Sequence, residues 1–358
     1  MGNFTYRAHG LVVQSDLALW LPPALCCDPP DVVLRRGADR AVPLGNPPGE
    51  LLAVLHDEAT RVSYAIARDR SCTRIRYAGL CEFVGDAEMQ SVAVYKEPGA
   101  DDRLLSVVGA GALLAIHLML RGELILHASA IRLGDAAIAF VGASGMGKST
   151  LATLLAADGC QLVSDDVLRV ALPEASPASV YPGSVESRLR PGATALVRAS
   201  RTPVRRTGDG RTAVRLSAYR GPPLPLAACV VPLPDHEATE IEVTSLSRAH
   251  GLKRLLQFPR IVGWVEQTWL VQNFHALAGL VARVPVLEAR VPWGPPFTDG
   301  MAGQLTSAVL RQRSALPRMF GSSSIAPDQP TATLATAHVR CDGNGRSVAV
   351  HVEGKGAR

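Results

Sequence analysis

Aromatic side chains are scarce in this chain, where phenylalanine, tryptophan and tyrosine together make up 5% of the 358 residues. Because hydrophobic residues still account for 47% of the sequence, the cores must be built mainly from leucine, valine, isoleucine and alanine. The basic stretches also lack the interleaved aromatic residues that a surface for stacking nucleic-acid bases would need. We therefore expect no nucleic-acid partner.

Signals for disulfides, metal clusters and membranes are also missing. The seven cysteines are odd in number and show no C-x-x-C spacing, so a reduced, cytoplasmic compartment is the simpler interpretation. The first ten residues lack the charged and then apolar pattern of a signal peptide. The longest apolar run, 107–120, contains His117 and is too short to cross a bilayer. We expect a soluble protein with no membrane partner.

What the chain does contain is a complete phosphate-binding loop of the pattern G-x-x-x-x-G-K-[ST]. The apolar run 136–141 predicts a strand before it, and residues 151–157 predict a helix after it, which is the context that the motif requires. The backbone N–H groups, the helix N-terminus, a lysine and a serine hydroxyl can then bind phosphates and Mg²⁺. The loop comprises Gly142, Ala143, Ser144, Gly145, Met146, Gly147, Lys148, Ser149 and Thr150.

The strand that enters this loop has an unusual predecessor. Gly134 and Asp135 separate two apolar runs, which is a hairpin signal. The strand is therefore expected to be the second arm of an antiparallel hairpin, whereas most phosphate loops follow a strand of a parallel sheet. This detail indicates a minority branch of phosphate-loop proteins.

A pair of carboxylates follows the next predicted strand, 161–164. Asp165 and Asp166 should lie close to the bound phosphates, where one acid can hold Mg²⁺ and the other can accept a proton from an attacking hydroxyl. A solvated turn is the structural alternative. His127 ends the first arm of the hairpin, and a lone histidine in an apolar strand is more often a core residue than a catalytic one.

A basic stretch lies between positions 188 and 220, with nine arginines, no lysine and one acid, Asp209. Such a cluster suits a polyanion such as the phosphates of ATP or an acidic peptide, although a solvated basic loop is an equal alternative. Arg211 follows a tight Gly-Asp-Gly turn and could reach a triphosphate, or it could be an exposed hairpin residue.

Three segments taken together resemble a known family. These segments are 126–130, 142–150 and 162–166, and their order of histidine, phosphate loop and Asp-Asp is similar to the catalytic domain of HPr kinase/phosphorylase. That domain shares its fold with ATP-dependent phosphoenolpyruvate carboxykinase. The likeness is specific over about 120–170 and extends over the whole chain only for divergent HPr-kinase-related serine kinases, including those that phosphorylate lasso-peptide precursors.

The resemblance implies roles for individual residues. Lys148 would bind the β- and γ-phosphates, Ser149 the Mg²⁺, and Asp165 would be the base that activates an acceptor serine. Asp166 would support Mg²⁺ or orient the site, and His127 would belong to the active site. The segment 180–190 departs from the family pattern: there Glu186 could replace a metal-ligating acid, and Arg188 and Arg190 are similar to arginines that related kinases keep. This departure disfavours HPr itself as the substrate.

The expected fold is α/β, a mixed-sheet phosphate-loop kinase domain at 101–318, preceded by a β-rich domain at 1–100 and followed by a flexible tail at 319–358. The tail is poor in bulky apolar residues and should not order. Helices are predicted over 101–120, 246–258, 266–282 and 301–313, and strands over 226–233 and 284–291. In the first hundred residues, strands are predicted at 11–13, 17–21, 32–34, 51–55, 62–67, 73–77 and 92–95.

These features predict an ATP- and Mg²⁺-dependent serine kinase, with a ribosomally made precursor peptide as the most concrete acceptor and a homo-oligomer as an open option. Three alternatives remain: an HPr-type protein kinase, a kinase that acts on a small molecule, and a regulatory module that senses ATP without phosphorylating anything. A nicotinamide-dependent dehydrogenase is disfavoured, because Lys148 and Ser149 would have no purpose beside a dinucleotide pyrophosphate.

Overall fold

The first hundred residues form an eight-stranded mixed sheet with the order β1-β2-β3-β8-β7-β6-β5-β4. The computed structural model describes residues 3–24, 28–193, 204–294, 297 and 300–315. Within them, short apolar runs separated by proline, glycine and aspartate give the strands, as the sequence predicts. The strands are β1 (Phe4–Ala8), β2 (Leu11–Ser15), β3 (Val32–Arg36), β4 (Glu50–His56), β5 (Val62–Arg68), β6 (Cys72–Tyr77), β7 (Cys81–Asp86) and β8 (Ser91–Lys96).

Two details of this sheet differ from the prediction. Strands β1 and β7 were not predicted, and the predicted strand 17–21 is an irregular segment. Pro22 and Pro23 follow that segment directly, and proline cannot donate to a ladder of hydrogen bonds. Part of the segment is buried all the same: Leu19 is 2% exposed and its backbone N–H donates to the hydroxyl of Tyr6, whereas Trp20 is 46% exposed.

Helix α1 (Asp102–Leu120) connects this sheet to the rest of the protein and confirms the predicted helix. Asp101 caps it by accepting a hydrogen bond from the backbone N–H of Arg103. Its middle section, Gly109–Leu113, is a π-helix. With 19 residues it is longer than the apolar run of the sequence, and by length and composition it could cross a membrane. Most of it is instead buried in the core.

The second sheet contains nine strands and holds the phosphate loop. Strand β11 (Ala136–Val141) enters that loop. It pairs antiparallel with β10 (Ala128–Leu133) on one side and parallel with β18 (Leu224–Asp235) on the other. The strands are β9 (Leu124–Leu126), β10 (Ala128–Leu133), β11 (Ala136–Val141), β12 (Gln161–Ser164), β13 (Leu168–Ala171), β14 (Ser179–Val180), β18 (Leu224–Asp235), β19 (Glu242–Ser245) and β20 (Val286–Pro292). A separate three-stranded sheet contains β15 (Glu186–Leu189), β16 (Val204–Arg206) and β17 (Thr212–Arg215).

The predicted hairpin before the phosphate loop is confirmed. Strands β10 and β11 pair from Ala128 opposite Val141 to Leu133 opposite Ala136. Gly134 in the turn has a φ of 61°, a left-handed value that glycine adopts without steric cost. Strand β12, which carries Asp165 and Asp166 at its end, pairs antiparallel with β10. The sheet is therefore mixed at the point where the functional residues lie.

Helices cover both faces of the second sheet. Alternate residues of β11 point to opposite faces, so Ile138 and Phe140 pack with helices α2 (Lys148–Ala157) and α5 (Met301–Ala315). Ala139 and Val141 pack on the other face, with helices α3 (Arg248–Leu256) and α4 (Gln267–Arg283). The helices predicted at 246–258, 266–282 and 301–313 are thus confirmed with small shifts of their ends.

The two large sheets share packing. Backbone hydrogen bonds join Val54 of the first sheet to Gly263, at 2.9 Å, and the N–H of His9 to the carbonyl of Pro182, at 2.7 Å. One hydrophobic cluster contains residues of the first sheet, of helix α1 and of the segment around Trp264. Every described residue except Asp28 belongs to one compact unit. The predicted tail at 319–358 lies outside the described residues.

Candidate active site

The phosphate loop, residues 142–150, runs from the end of β11 to the first turn of α2. Helix α2 begins at Lys148 and its N-cap is Gly147, which has a left-handed φ of 82°. An alanine methyl group at this position would lie 2.2 Å from the ring of Trp293, so both the backbone angle and the space require glycine. The loop therefore presents its N–H groups and the positive end of a ten-residue helix to one point.

Lys148 lies within the loop that it serves. It is 6% exposed, and its ammonium group donates a hydrogen bond of 2.9 Å to the carbonyl of Ala143. Burial lowers the pKa of Lys148 to about 8, although Asp165 and Asp166 act in the opposite direction. A bound triphosphate would place negative charge next to this buried ammonium group.

Asp165 accepts hydrogen bonds from two hydroxyl groups and one backbone amide. Its Oδ1 accepts a bond of 2.8 Å from the hydroxyl of Ser149 and a short bond from that of Ser129. Its Oδ2 accepts a bond of 3.0 Å from the backbone N–H of Arg188. The side chain predicted to bind Mg²⁺ and the first acid of the pair are thus direct neighbours.

Asp166 has different surroundings, because two arginine side chains bind the same oxygen. Its Oδ2 lies 2.7 Å from Arg188 and 2.6 Å from Arg260. Burial opposes ionisation, but the two guanidinium groups hold the pKa of Asp166 far below its usual range. The residue also has a φ of 73°, a strained value for a side chain other than glycine. The two adjacent aspartates are therefore not chemically equivalent.

His127 stands beside this ionic cluster, with its Nε2 3.6 Å from Oδ1 of Asp166. Burial, together with the nearby charge of Lys148, lowers the pKa of His127 to about 3, so the imidazole is neutral at pH 7. The described structure thus brings His127 to the carboxylate pair.

Two arginines of the basic stretch contact the phosphate loop at Ser144. Arg190 and Arg211 donate hydrogen bonds of 3.0 and 3.3 Å to the hydroxyl of Ser144. Arg211 is also 3.4 Å from Asp209, which pairs with Arg188 at 3.5 Å. Part of the basic stretch is therefore ordered around the phosphate loop and its residues contact one another.

Glu186 lies apart from the phosphate loop. Its carboxylate accepts hydrogen bonds of 2.6 and 3.3 Å from Arg205, and it lines a neighbouring cavity rather than the one beside the loop. Glu186 is 9% exposed and sits on β15, next to β17. Glu186, which the resemblance offers as a possible metal ligand, thus forms an ion pair with the partly exposed Arg205.

These groups surround a cavity of about 310 Å³. Its walls combine the cations and carboxylates already described with an aromatic pair, Trp293 and Phe297, whose ring centroids are 5.3 Å apart. The polar wall comprises His127, Ser144, Lys148, Ser149, Thr150, Asp165, Asp166, Arg188, Arg190, Arg211 and His236. One site therefore holds a phosphate loop, two acids and three arginines.

Several residues of this arrangement, Ser129 and Arg260 among them, were not assigned a role from the sequence. Ser129 follows His127 by two positions and therefore points to the same face of the strand segment, which is a signal that could have been used. Arg260 lies 94 residues beyond Asp166, and no motif surrounds it. Only the tertiary fold brings it to the site.

Comparison with known proteins gives a weak structural likeness. No family model matches the chain, and no curated protein matches it. Among solved structures, the chain is similar to the Hpr(Ser) kinase/phosphatase from Coxiella burnetii, with 13% identity and a TM-score of 0.26. That alignment covers 53% of this chain and 96% of the other.

Proposed function

We propose that this protein is an ATP- and Mg²⁺-dependent phosphotransferase that transfers the γ-phosphate to a serine hydroxyl of a peptide or protein. One observation carries the proposal. A complete phosphate loop and a carboxylate that no arginine side chain of the described residues occupies, Asp165, line the same cavity. Such an acid can accept the proton of an attacking hydroxyl, a role that nucleotide binding alone does not require.

The loop and its cations bind the phosphates. Lys148 and the N–H groups of the loop bind the β- and γ-phosphates, while Arg190 and Arg211 approach from the side of Ser144. These fixed charges stabilise the negative charge that shifts towards the leaving oxygen during transfer. The site accelerates the reaction chiefly by position and electrostatics.

The oxygen donors at Ser149 and Asp165 fit Mg²⁺. The two side-chain oxygens lie 2.8 Å apart, and Mg²⁺ prefers hard oxygen ligands, of which one or two come from the protein and the rest from phosphates and water. When bound, the ion would neutralise charge on the β- and γ-phosphates. We favour Asp165 over Asp166 or Glu186 as the acid for this ion, because arginines occupy the other two carboxylates.

Asp165 also serves best as the proton acceptor. The acceptor oxygen attacks the γ-phosphorus as its proton passes to the carboxylate, and the bond between that phosphorus and the β,γ-bridging oxygen breaks, so that ADP leaves with the electron pair. Asp166 is a poor base because its two arginine partners stabilise its ionised form. We propose that it positions Arg188 and Arg260 instead.

The acceptor is the less constrained part of the proposal. The motif resemblance supports a serine in a ribosomally made precursor peptide, with a lasso-type precursor as the concrete candidate, rather than HPr. The altered segment around Glu186 and Arg188 supports the same preference. A small-molecule kinase and an ATP sensor remain the competing hypotheses.

The test measures ATP affinity and phosphate transfer in the same preparations. The full chain is incubated with Mg²⁺ and ATP, and with peptides encoded beside its gene or with HPr, and the products are read by intact mass. Asp165→Asn should retain ATP binding but lose about 10²- to 10⁴-fold in transfer, since it removes the proton acceptor. Asp158→Asn is the matched control, because that aspartate is exposed at the end of α2.

Each competing function predicts a different result. If ATP binds tightly and no acceptor is modified, the sensor hypothesis replaces the kinase. Phosphate on a metabolite hydroxyl and on no peptide would favour the small-molecule kinase. Transfer that survives Asp165→Asn at the wild-type rate would contradict the role given to this carboxylate.

A further inference from the structure

Two strands beside the phosphate loop extend beyond the strand that carries it. The pairing of β11 with β18 ends at Phe140, whereas β18 and β20 stay paired up to Asp235 and Pro292. All three strands run parallel, so the two longer ones form a wall beyond the edge of the sheet where the loop lies. Ligands of open α/β sheets bind at this edge, outside the carboxyl ends of the strands.

The residues that follow these two strands bring aromatic rings to the phosphate cavity. His236 comes directly after β18, and Trp293 comes directly after β20. The backbone N–H of Trp293 donates a hydrogen bond of 2.9 Å to the carbonyl of Asp235, which holds the two segments side by side. His236, Trp293 and Phe297 line the same cavity as the phosphate loop.

This aromatic wall begins at the loop itself. The six-membered ring of Trp293 approaches Gly147 so closely that a methyl group there would lie 2.2 Å from its Cη2 atom. The wall continues through Phe297, whose ring is nearly perpendicular to the indole at an angle of 88°. Both aromatic side chains are only half-buried, so each keeps ring surface that a ligand can cover.

The cavity thus combines two kinds of wall. Its charged side chains are the lysine, the arginines and the aspartates that surround the loop, while its aromatic rings follow β18 and β20. A ligand that suits both walls carries a polyanion at one end and a flat aromatic group at the other. Nucleoside triphosphates have this form.

We infer that Trp293 and Phe297, together with the imidazole of His236, bind the base of the nucleoside triphosphate by stacking, and that they favour a purine. The inference rests on the nucleotide site of the proposed function and deepens it. Stacking on aromatic side chains tolerates different hydrogen-bonding groups, because every base has a π-face. A purine has two fused rings and covers more of an indole than a pyrimidine does.

The alternative role for Trp293 is structural, since its ring also holds the phosphate loop in place. In that case, removal of the ring weakens every ligand that the loop binds. Stacking instead predicts a loss only for ligands that carry a base. Inorganic tripolyphosphate has three phosphates and no base, and it therefore separates the two roles.

The experiment titrates the full chain calorimetrically, in the presence of Mg²⁺, with ATP, CTP and tripolyphosphate. Trp293→Ala removes the indole, and Trp293→Phe keeps an aromatic face at the same position. Phe274→Ala is the matched control, because that ring is 45% exposed on α4 and does not line the phosphate cavity. Binding is measured without phosphate transfer, so the result does not depend on finding the acceptor.

We expect Trp293→Ala to lose about tenfold or more in affinity for ATP, as the loss of one base–aromatic stack implies. Its affinity for tripolyphosphate should stay within about twofold of the wild type. Trp293→Phe should recover most of the ATP affinity, and Phe274→Ala should bind all three ligands like the wild type. The wild type should bind ATP several-fold more tightly than CTP.

Two results with Trp293→Ala would overturn the inference. An equal loss for ATP and tripolyphosphate would show that the ring only supports the loop, and unchanged ATP affinity would show that the base lies elsewhere. Equal affinities of the wild type for ATP and CTP would overturn the preference for a purine. If the stacking results hold and no acceptor is phosphorylated, the kinase proposal fails while the base site stands. If none of the three ligands binds, both fail together.

Discussion

At the scale of single residues, the site depends on how buried charges are paired. Lys148 is buried and hydrogen-bonded only to a neutral carbonyl in the contacts described, whereas Asp166 has two arginine partners. Burial therefore lowers the pKa of Lys148. The two arginines lower the pKa of Asp166 because they stabilise its ionised form. The lysine needs a bound phosphate to be fully charged, and the aspartate does not.

This pairing predicts how ATP affinity depends on pH. With a pKa of about 8, the ammonium group of Lys148 is mostly protonated at pH 7 and mostly neutral at pH 9. ATP binds the protonated form, so affinity should fall about tenfold between these pH values. Titration calorimetry at both pH values measures the change.

The control for this prediction is Lys148→Arg, whose guanidinium stays charged over the whole range. Its absolute affinity is expected to be lower, but the ratio between pH 7 and pH 9 should be close to one. A wild-type affinity that does not change with pH would show that the lysine keeps its charge in the free protein.

Some properties of these single residues could be predicted from the sequence and others could not. The loop, Lys148 and the aspartate pair could be identified because each belongs to a local pattern with a physical purpose. The difference between Asp165 and Asp166 could not, since it arises from Arg260, which the fold brings in from 94 residues away. The family resemblance offers Glu186 as a possible metal ligand, but its ion pair with Arg205 depends on the pairing of three strands and could not be predicted.

At the scale of elements, the loop between β11 and α2 is held by one tight contact. Gly147→Ala would force a left-handed alanine and place its methyl group 2.2 Å from the ring of Trp293. The backbone of the loop must then move, so we expect ATP affinity to fall by at least about tenfold, which corresponds to about 1.4 kcal/mol. Calorimetric titration of the variant with ATP measures this loss.

Two further variants separate the causes. Gly134→Ala also places alanine at a positive φ, of 61°, but with open space around it, so it should cost about 1–2 kcal/mol of stability without affecting ATP binding. Trp293→Ala combined with Gly147→Ala should recover part of the affinity lost for tripolyphosphate, because the collision is removed. If the double variant binds no better than Gly147→Ala alone, backbone strain rather than the collision is responsible.

Elements were more predictable than their arrangement. The helices and most strands follow from hydrophobic periodicity and from proline and glycine breaks, and even the hairpin before the loop follows from Gly134 and Asp135. The irregular segment 17–21 was predicted as a strand because it is apolar, and it does bury Leu19 and Leu21 in the core. Burial without a ladder partner cannot be read from composition.

At the scale of the whole molecule, the N-terminal sheet is packed into the protein that carries the phosphate loop. His9 marks this junction: its N–H donates to Pro182, its carbonyl accepts from Arg169, and a methyl group on Gly183 would lie 2.3 Å from its ring. The first sheet also shares a hydrophobic cluster with helix α1 and Trp264. Stability of the junction is therefore part of the stability of the site.

The buried histidine makes this junction sensitive to acid. The pKa of His9 falls from 6.5 to about 4 on folding, first because of burial and then because of Arg169, so the unfolded chain binds the extra proton more readily than the folded one. The stabilisation from the neutral ring is complete above about pH 6.5 and is lost as the pH falls towards 4. Over that window, His9 should contribute about 1.4 kcal/mol per pH unit to the decline of the free energy of unfolding. Urea titrations at several pH values between 7 and 4 measure this slope.

His9→Asn is the discriminating variant, because asparagine does not titrate and tolerates the φ of 56° found at this position. His127 loses its proton affinity on folding for a similar reason, so the variant should flatten the decline by about one proton and not abolish it. A variant curve parallel to that of the wild type would mean that His9 is hydrated or already charged in the folded protein. The acid sensitivity of the N-terminal sheet would then have to come from other groups.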